Sequence, residues 1–155
     1  MNLAPVLIFA YNRFEHLQKT IESLSKNYLA NQSEIFIYSD GEKTIKDHEK
    51  IKEIRTYLKN LKGFKKINLI FRAENLGLAN SIIKGVSEII TIHKKVIVLE
   101  DDMISTPDFL NFMNDALLFY EAEKKIFTIS GYNFPIKIPQ NYQEDVFITQ
   151  RASSW

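Results

Sequence analysis

Val96-Ile97-Val98-Leu99-Glu100-Asp101-Asp102 decides the fold. Four apolar residues form a short run of the kind that fills a strand buried on both faces, and three carboxylates end it. Working outward, the same rhythm recurs. Toward the N-terminus, Pro5-Val6-Leu7-Ile8-Phe9-Ala10 is another continuous apolar run. Phe14, Leu17, Ile21 and Leu24 then fall on one helix face. Ile35-Phe36-Ile37-Tyr38 is a second strand, stopped by the turn chemistry of Ser39-Asp40-Gly41. Ile51, Ile54, Leu58 and Leu61 mark a second helix, with Gly63 at its exit. Ile67-Asn68-Leu69-Ile70-Phe71 is a third strand, and Leu78 to His93 a third helix with Ile82, Val86, Ile89 and Ile90 inward. Val96–Leu99 is the fourth and most apolar strand, expected to be the most buried. Past the acids, Thr106-Pro107-Asp108 reads as N-cap, first-turn proline and first-turn acid. Phe109, Phe112, Ala116 and Phe119 would carry the helix it opens. Phe127–Ser130 and Val146–Thr149 read as two more strands.

Strands alternating with helices imply parallel pairing and right-handed crossovers. The expected fold is therefore α/β: a mostly parallel, open, Rossmann-like sheet with helices on both faces. A chain of 155 residues suits one domain over 1–155 with a real core. Twenty Lys and Arg against 19 Asp and Glu leave a net charge of +1, which argues against a nucleic-acid partner held by a broad basic surface. With no cysteine there is no disulfide scaffold, thiolate zinc site or Cys nucleophile. No apolar run approaches the ~20 residues of a transmembrane segment. Leu3–Tyr11 lacks a basic leader and reads as a strand, so the expected location is cytoplasmic.

In open α/β sheets ligands bind outside the carboxyl ends of the strands. Those ends are polar here. Glu100-Asp101-Asp102 places three carboxylates where like charges repel unless a cation is present. A hard divalent ion such as Mn²⁺ or Mg²⁺ prefers oxygen ligands and takes its remaining ligands from phosphates. The plainer alternative is a solvated acidic loop that helps to cap the helix at Thr106. Asp40 offers an acceptor for a uracil imide N–H or a ribose hydroxyl; the alternative is an ordinary Asp-Gly turn. In Ala10-Tyr11-Asn12-Arg13, the arginine fork suits a diphosphate, while Asn12 equally suits an N-cap. Arg72 to Asn80 adds a post-strand arginine, Asn75, Gly77 and Asn80 just before a helix. Only five glycines occur, with no Walker loop and no Gly-x-Gly-x-x-Gly. Diphosphate charge would then be met by metal and arginine. His16, His48 and His93 lie far apart, no Gly-x-Ser-x-Gly elbow occurs, and Lys43–Lys66 reads as a solvated face. Phosphatase or receiver chemistry needs an aspartate directly after strand one, where Tyr11-Asn12 stands.

Taken together and in order, these segments resemble the start of a GT-A nucleotide-sugar glycosyltransferase. The likeness is to the nucleotide-binding half of family-2-like bacterial enzymes and of the N-acetylglucosaminyltransferase I type, over essentially the whole chain. Pro5–Arg13 resembles the first strand and base-contacting loop, Ser39-Asp40 the acid that contacts uracil, and Arg72–Asn80 the loop opening the third helix. Glu100-Asp101-Asp102 resembles the acidic triplet, and Met103–Phe112 the segment after it. The resemblance implies that Asp102 binds Mn²⁺ or Mg²⁺, while Glu100 and Asp101 contact the sugar nucleotide. It implies a UDP-sugar donor, with Asp40 and Tyr11 at the uracil, Asp101 at the ribose, and Arg13 or Arg72 adding charge. The implied reaction is inverting transfer to a hydroxyl of a glycan or lipid-linked saccharide.

Ile129–Asn133 and Arg151–Trp155 resemble segments that precede the acceptor half. The chain is thus expected to be C-terminally incomplete, with its general base beyond Trp155. The alternative is a nucleotide-sugar-binding module without transferase activity. A missing half would expose an apolar patch and favour a homodimer.

Overall fold

A computed structural model describes residues 2–132, Lys137, 140–143, Val146 and Ile148. Four strands form one parallel sheet: β1 (Val6–Ala10), β2 (Glu34–Ser39), β3 (Lys66–Phe71) and β4 (Ile97–Glu100), in the order β3-β2-β1-β4. Helices α1 (Phe14–Ser25), α2 (His48–Lys59), α3 (Leu78–His93) and α4 (Phe109–Phe119) connect or follow them. The alternation expected from hydropathy is thus the observed one through α4. The register pairs Ala10 with Ser39, Ser39 with Phe71, and Phe9 with Glu100. All four strands therefore end at the same edge, and their following loops lie side by side. At a strand spacing of about 4.8 Å, the row from β3 to β4 spans roughly 14 Å.

Position in this order sets burial, and here the sequence reading is corrected. β1 lies between β2 and β4, and all five of its residues are buried. β4, the most apolar run, is an edge of the described sheet and alternates buried with half-buried residues. Hydropathy alone cannot distinguish a centre from an edge.

Val6, Ile8, Ala10, Ile35, Ile37, Ile97 and Leu99 face α1, α2 and α4 in the larger core, where Leu17, Ile21, Leu24, Ile54, Leu58, Leu110 and Met113 meet them. Leu7, Phe9 and Tyr38 face α3 on the other side, against Ile89. So helices do cover both faces, three against one.

One helix, α4, settles in a different rotation from the expected one, and α3 departs from it at a single residue. In α3, Ile82, Val86 and Ile89 pack toward the sheet as expected, Ser81 and Gly85 are buried beside them, and Ile90 is exposed. A Cβ on Gly85 would stand 2.8 Å from two ring carbons of Phe9, so the bare backbone lets the helix rest directly on the sheet. In α4 the buried residues are Leu110, Met113 and Asn114, with Phe112 and Phe119 outward and Phe109 half-buried. Hydrogen bonds fix that rotation. The Ala4 N–H donates to Asn114 Oδ1 at 2.8 Å, and the Leu110 N–H donates to Asn27 Oδ1 at 2.9 Å. These buried amides must be satisfied, and that outweighs one more aromatic inside. The N-cap residue of α4 is Asp108, not Thr106, whose carbonyl instead accepts from the Phe109 N–H.

No strand forms at Phe127–Ser130, where Phe127 is fully solvent-exposed. A strand needs a neighbour's ladder, and these residues pair with none among those described. Of the expected strand Val146–Thr149, Phe147 and Thr149 lie outside the described residues, as do Asn133 and residues 151–155. No described helix is long and apolar enough to cross a membrane.

Candidate functional site

Two charged clusters stand at the shared edge of the sheet. The first joins the ends of β2 and β3. Asp40, buried just past β2, accepts from Arg72 Nη1 at 3.0 Å and from the Ser81 hydroxyl at 3.1 Å through Oδ1. Its Oδ2 accepts from the Leu76 N–H at 3.1 Å. Asp40 is thus far more than an Asp-Gly turn: it ties the Arg72 loop and the start of α3 to β2. The guanidinium of Arg72 also stacks over Tyr38, 4.8 Å from the ring centroid. The Tyr38 hydroxyl donates to Glu88 at 2.9 Å, and burial, then that bond, pushes its pKa up to about 12.

The second cluster joins the ends of β1 and β4. Arg13 donates to both oxygens of Asp101, through Nη2 and, at 3.3 Å, through Nε. Its Nη1 donates to Asp102 Oδ2 at 2.9 Å. The Asp101 side chain is 5% exposed and that of Asp102 41%, so the acids point to different surroundings. The hydrogen bond that Arg13 donates to Asp101 is the main cause holding the Arg13 pKa above its usual value. Glu100 ends β4 opposite Phe9, half-buried.

Between the clusters, Ala10 is buried at the end of β1, and its carbonyl accepts from the Asp40 N–H at 3.2 Å. Asn12 does not cap α1, whose N-cap residue is Arg13. Its amide donates to Asp47 Oδ1 at 2.8 Å instead. The Tyr11 hydroxyl accepts from the Lys43 N–H at 3.0 Å and is hydrogen-bonded to Asp47 as well. Asn75 donates to the Gly41 carbonyl at 3.2 Å, bracing the two loops. Asn80 bonds within its own helix start. It is exposed, and its amide donates back to the Leu76 carbonyl, joining neither cluster.

A family model, glycosyl transferase family 2, matches residues 6–137. This chain belongs to glycosyl transferase family 2. Over 142 residues it is 27% identical to an alpha-1,3-mannosyl-glycoprotein 2-beta-N-acetylglucosaminyltransferase of Arabidopsis thaliana, covering 86% of this chain and 32% of that protein. The chain thus spans about a third of the length of that curated relative. The crystal structure of TarS from S. aureus superposes with a TM-score of 0.52 at 15% identity, over 78% of this chain and 20% of TarS. The structure of TarS 1-349 gives the same score and identity, with 33% of that chain covered. The fold is accordingly of the GT-A type, a parallel α/β sheet whose strand ends carry the polar loops.

In this family 2 chain, sequence reasoning missed two residues that organise the site. Arg55 of α2 reaches the strand ends. Its Nη2 donates to the carbonyls of Ser39, Asp40 and Arg72 at 3.1, 3.2 and 2.6 Å, and its Nε donates to the Ser39 hydroxyl at 3.3 Å. The signal was present: an arginine stands inside the apolar stripe Ile51, Ile54, Leu58, on the face that should be buried. Asp47 was the other. Thr44 and Asp47 form a capping box, whose spacing is readable. That the same carboxylate also holds Tyr11 and Asn12 is a tertiary fact.

Hydrogen bonds from Asn12, then Thr44 and Tyr11, lower the Asp47 pKa to about 2. The folded value lies below the unfolded one. The carboxylate's contribution is therefore complete above about pH 4 and is lost only as pH falls through 2. A carboxyl titration of Asp47 by NMR should show a midpoint near 2, moving up toward the ordinary aspartate range in Asn12→Ala.

Among the described residues, no group of three or more His, Asp or Glu is placed to hold a metal. Arg13 engages only one oxygen of the exposed Asp102. The donor set fits a hard cation that takes one or two ligands from this chain and the rest from phosphate and water.

Proposed function

We propose that this chain binds a UDP-sugar together with Mn²⁺ or Mg²⁺ along the carboxyl edge of its sheet, and that the enzyme it belongs to transfers the sugar, with inversion, to a hydroxyl of a glycan or lipid-linked saccharide. One observation carries the reading: an arginine–carboxylate cluster stands at each end of a single row of strand ends, Asp40–Arg72 and Arg13–Asp101–Asp102. Family membership supports the transferase chemistry.

A carboxylate has about four acceptor positions, and three of those on Asp40 are filled by Arg72, Ser81 and Leu76. The fourth takes a single N–H, which suits the lone imide of uracil. Tyr11 has its hydroxyl committed to Lys43 and Asp47, so the ring is what it offers to the base. Glu100 and Asp101 accept from ribose or sugar hydroxyls. Asp102 holds the cation, which when bound supplies Lewis-acid stabilisation of the departing diphosphate. Arg13 or Arg72 adds positive charge for the phosphates, and of the two Arg13 has the more exposed guanidinium. The described residues are assigned to the donor side, and the proton of the acceptor hydroxyl passes to a carboxylate base outside them.

Titration calorimetry with UDP tests this. Binding should tighten on adding Mn²⁺, and Asp102→Asn should abolish that gain while leaving the weaker metal-free binding in place. UDP affinity indifferent to both would refute the site.

A further inference from the structure

We propose that Arg13 is the built-in counter-charge of Asp101 and Asp102 when no donor is bound, and that it makes the uptake of a divalent cation conditional on a diphosphate. This rests on the reading above, in which those acids meet a cation carried with a nucleotide diphosphate.

The geometry is specific. A single guanidinium donates to both oxygens of the buried Asp101 and to one of Asp102. One of their two negative charges is therefore already offset, without a metal. A cation arriving alone would face a fixed positive charge at hydrogen-bond range, which offsets about half of its attraction to the two carboxylates. A diphosphate changes the balance. It brings acceptors that match the arginine fork, so Arg13 can release Asp102 and still be paired. The side chain has the freedom to do so. Arg13 occupies the N-cap position of α1 without capping it, and its side chain is 44% exposed. Turning toward a diphosphate needs only the Asp102 contact to be given up. Asp101, by contrast, is held at the end of β4 and stays in place. The cation and the diphosphate thus become cooperative ligands through one side chain, each removing the partner that opposes the other.

The test measures Mn²⁺ binding by electron paramagnetic resonance of the free ion, with and without UDP, in the wild-type chain and in Arg13→Gln and Arg13→Lys. In the wild type, UDP should raise Mn²⁺ affinity by about tenfold or more, within the usual range of coupling between two ligands. Arg13→Gln should bind Mn²⁺ alone about tenfold more tightly than wild type and lose most of the UDP enhancement. Arg13→Lys keeps the charge but not the two-oxygen contact to the buried Asp101, so it should bind Mn²⁺ alone about as weakly as wild type while keeping part of the UDP enhancement, and melting curves check that both variants fold. If Arg13→Gln leaves metal-alone affinity unchanged while UDP still enhances it, the Arg13 role is overturned and the donor site stands. If UDP enhances Mn²⁺ binding in none of the three proteins, the donor site itself is refuted.

Discussion

Asp40→Ala should lower stability by about 3–5 kcal/mol, because it strands a half-buried arginine without its counterion. The Arg72 side chain is 13% exposed and that of Asp40 7%, so water cannot take over the lost contacts. The Ser81 hydroxyl and the Leu76 N–H lose their acceptor in the same step. For a chain of this size the midpoint of thermal unfolding should fall by roughly 6–20 °C. The double variant Asp40→Leu with Arg72→Met removes both charges and should recover most of that loss, since a buried ion pair is worth little over an apolar replacement of similar volume. UDP binding should be lost in both proteins. That separates the two roles of Asp40: one can be restored by packing, and the other needs the carboxylate. If the single variant melts within a degree or two of wild type, Asp40 is not the tie between β2, Arg72 and α3.

Gly41→Ala should be nearly as damaging, from a single added methyl group. Its Cβ would lie 2.2 Å from the Ala73 carbonyl oxygen and 2.8 Å from the Glu74 nitrogen. Both are backbone atoms, which cannot swing aside as a side chain would. The Gly41 N–H donates to the Glu74 carbonyl at 3.0 Å, so the β2 and β3 loops would have to separate just where they are bonded. The expected cost is about 3 kcal/mol, the upper end for overpacking, or roughly 6–12 °C in the melting midpoint. Gly63→Ala is the comparison. Gly63 has φ +99 and its nearest neighbour is 3.7 Å away, so it bears only the conformational cost of about 1–2 kcal/mol. UDP binding should survive Gly63→Ala and fail in Gly41→Ala. Equal melting shifts in the two would show that the close approach of Gly41 to Ala73 is not what fixes the loops.

Much of this architecture was legible from one dimension. The strands and helices through α3 fall within a residue or two of their expected limits, because strand runs and 3.6-residue stripes record burial directly. The polar segments after each strand were legible for the same reason, since a loop at the end of a parallel strand has no apolar face to serve. What went wrong were rotations and edges. In α3 only Ile90 faces outward against expectation, where the helix rests on the sheet through Gly85, and the rotation of α4 turns on Asn27 and Asn114. Those causes lie far along the chain from the helices they orient. The expected strand at Phe127–Ser130 failed because local propensity cannot supply a partner.

The site divides in the same way. Sequence pointed to Arg13, Asp40, Arg72 and the three acids, since charged residues at strand ends have no packing reason to be there. It gave no means of deciding who meets whom. Sequence order alone does not say that Arg13 is the partner of Asp101, 88 residues away, or that Asp40 is claimed by Arg72 and Ser81. The chain's own chemistry determined the class of fold, the parallel rhythm and the polar rim, because these follow from hydropathy repeating at short range. Only the tertiary structure decided strand order, helix rotation and the pairing of charges, because each depends on contacts between residues that the chain brings together only when it folds.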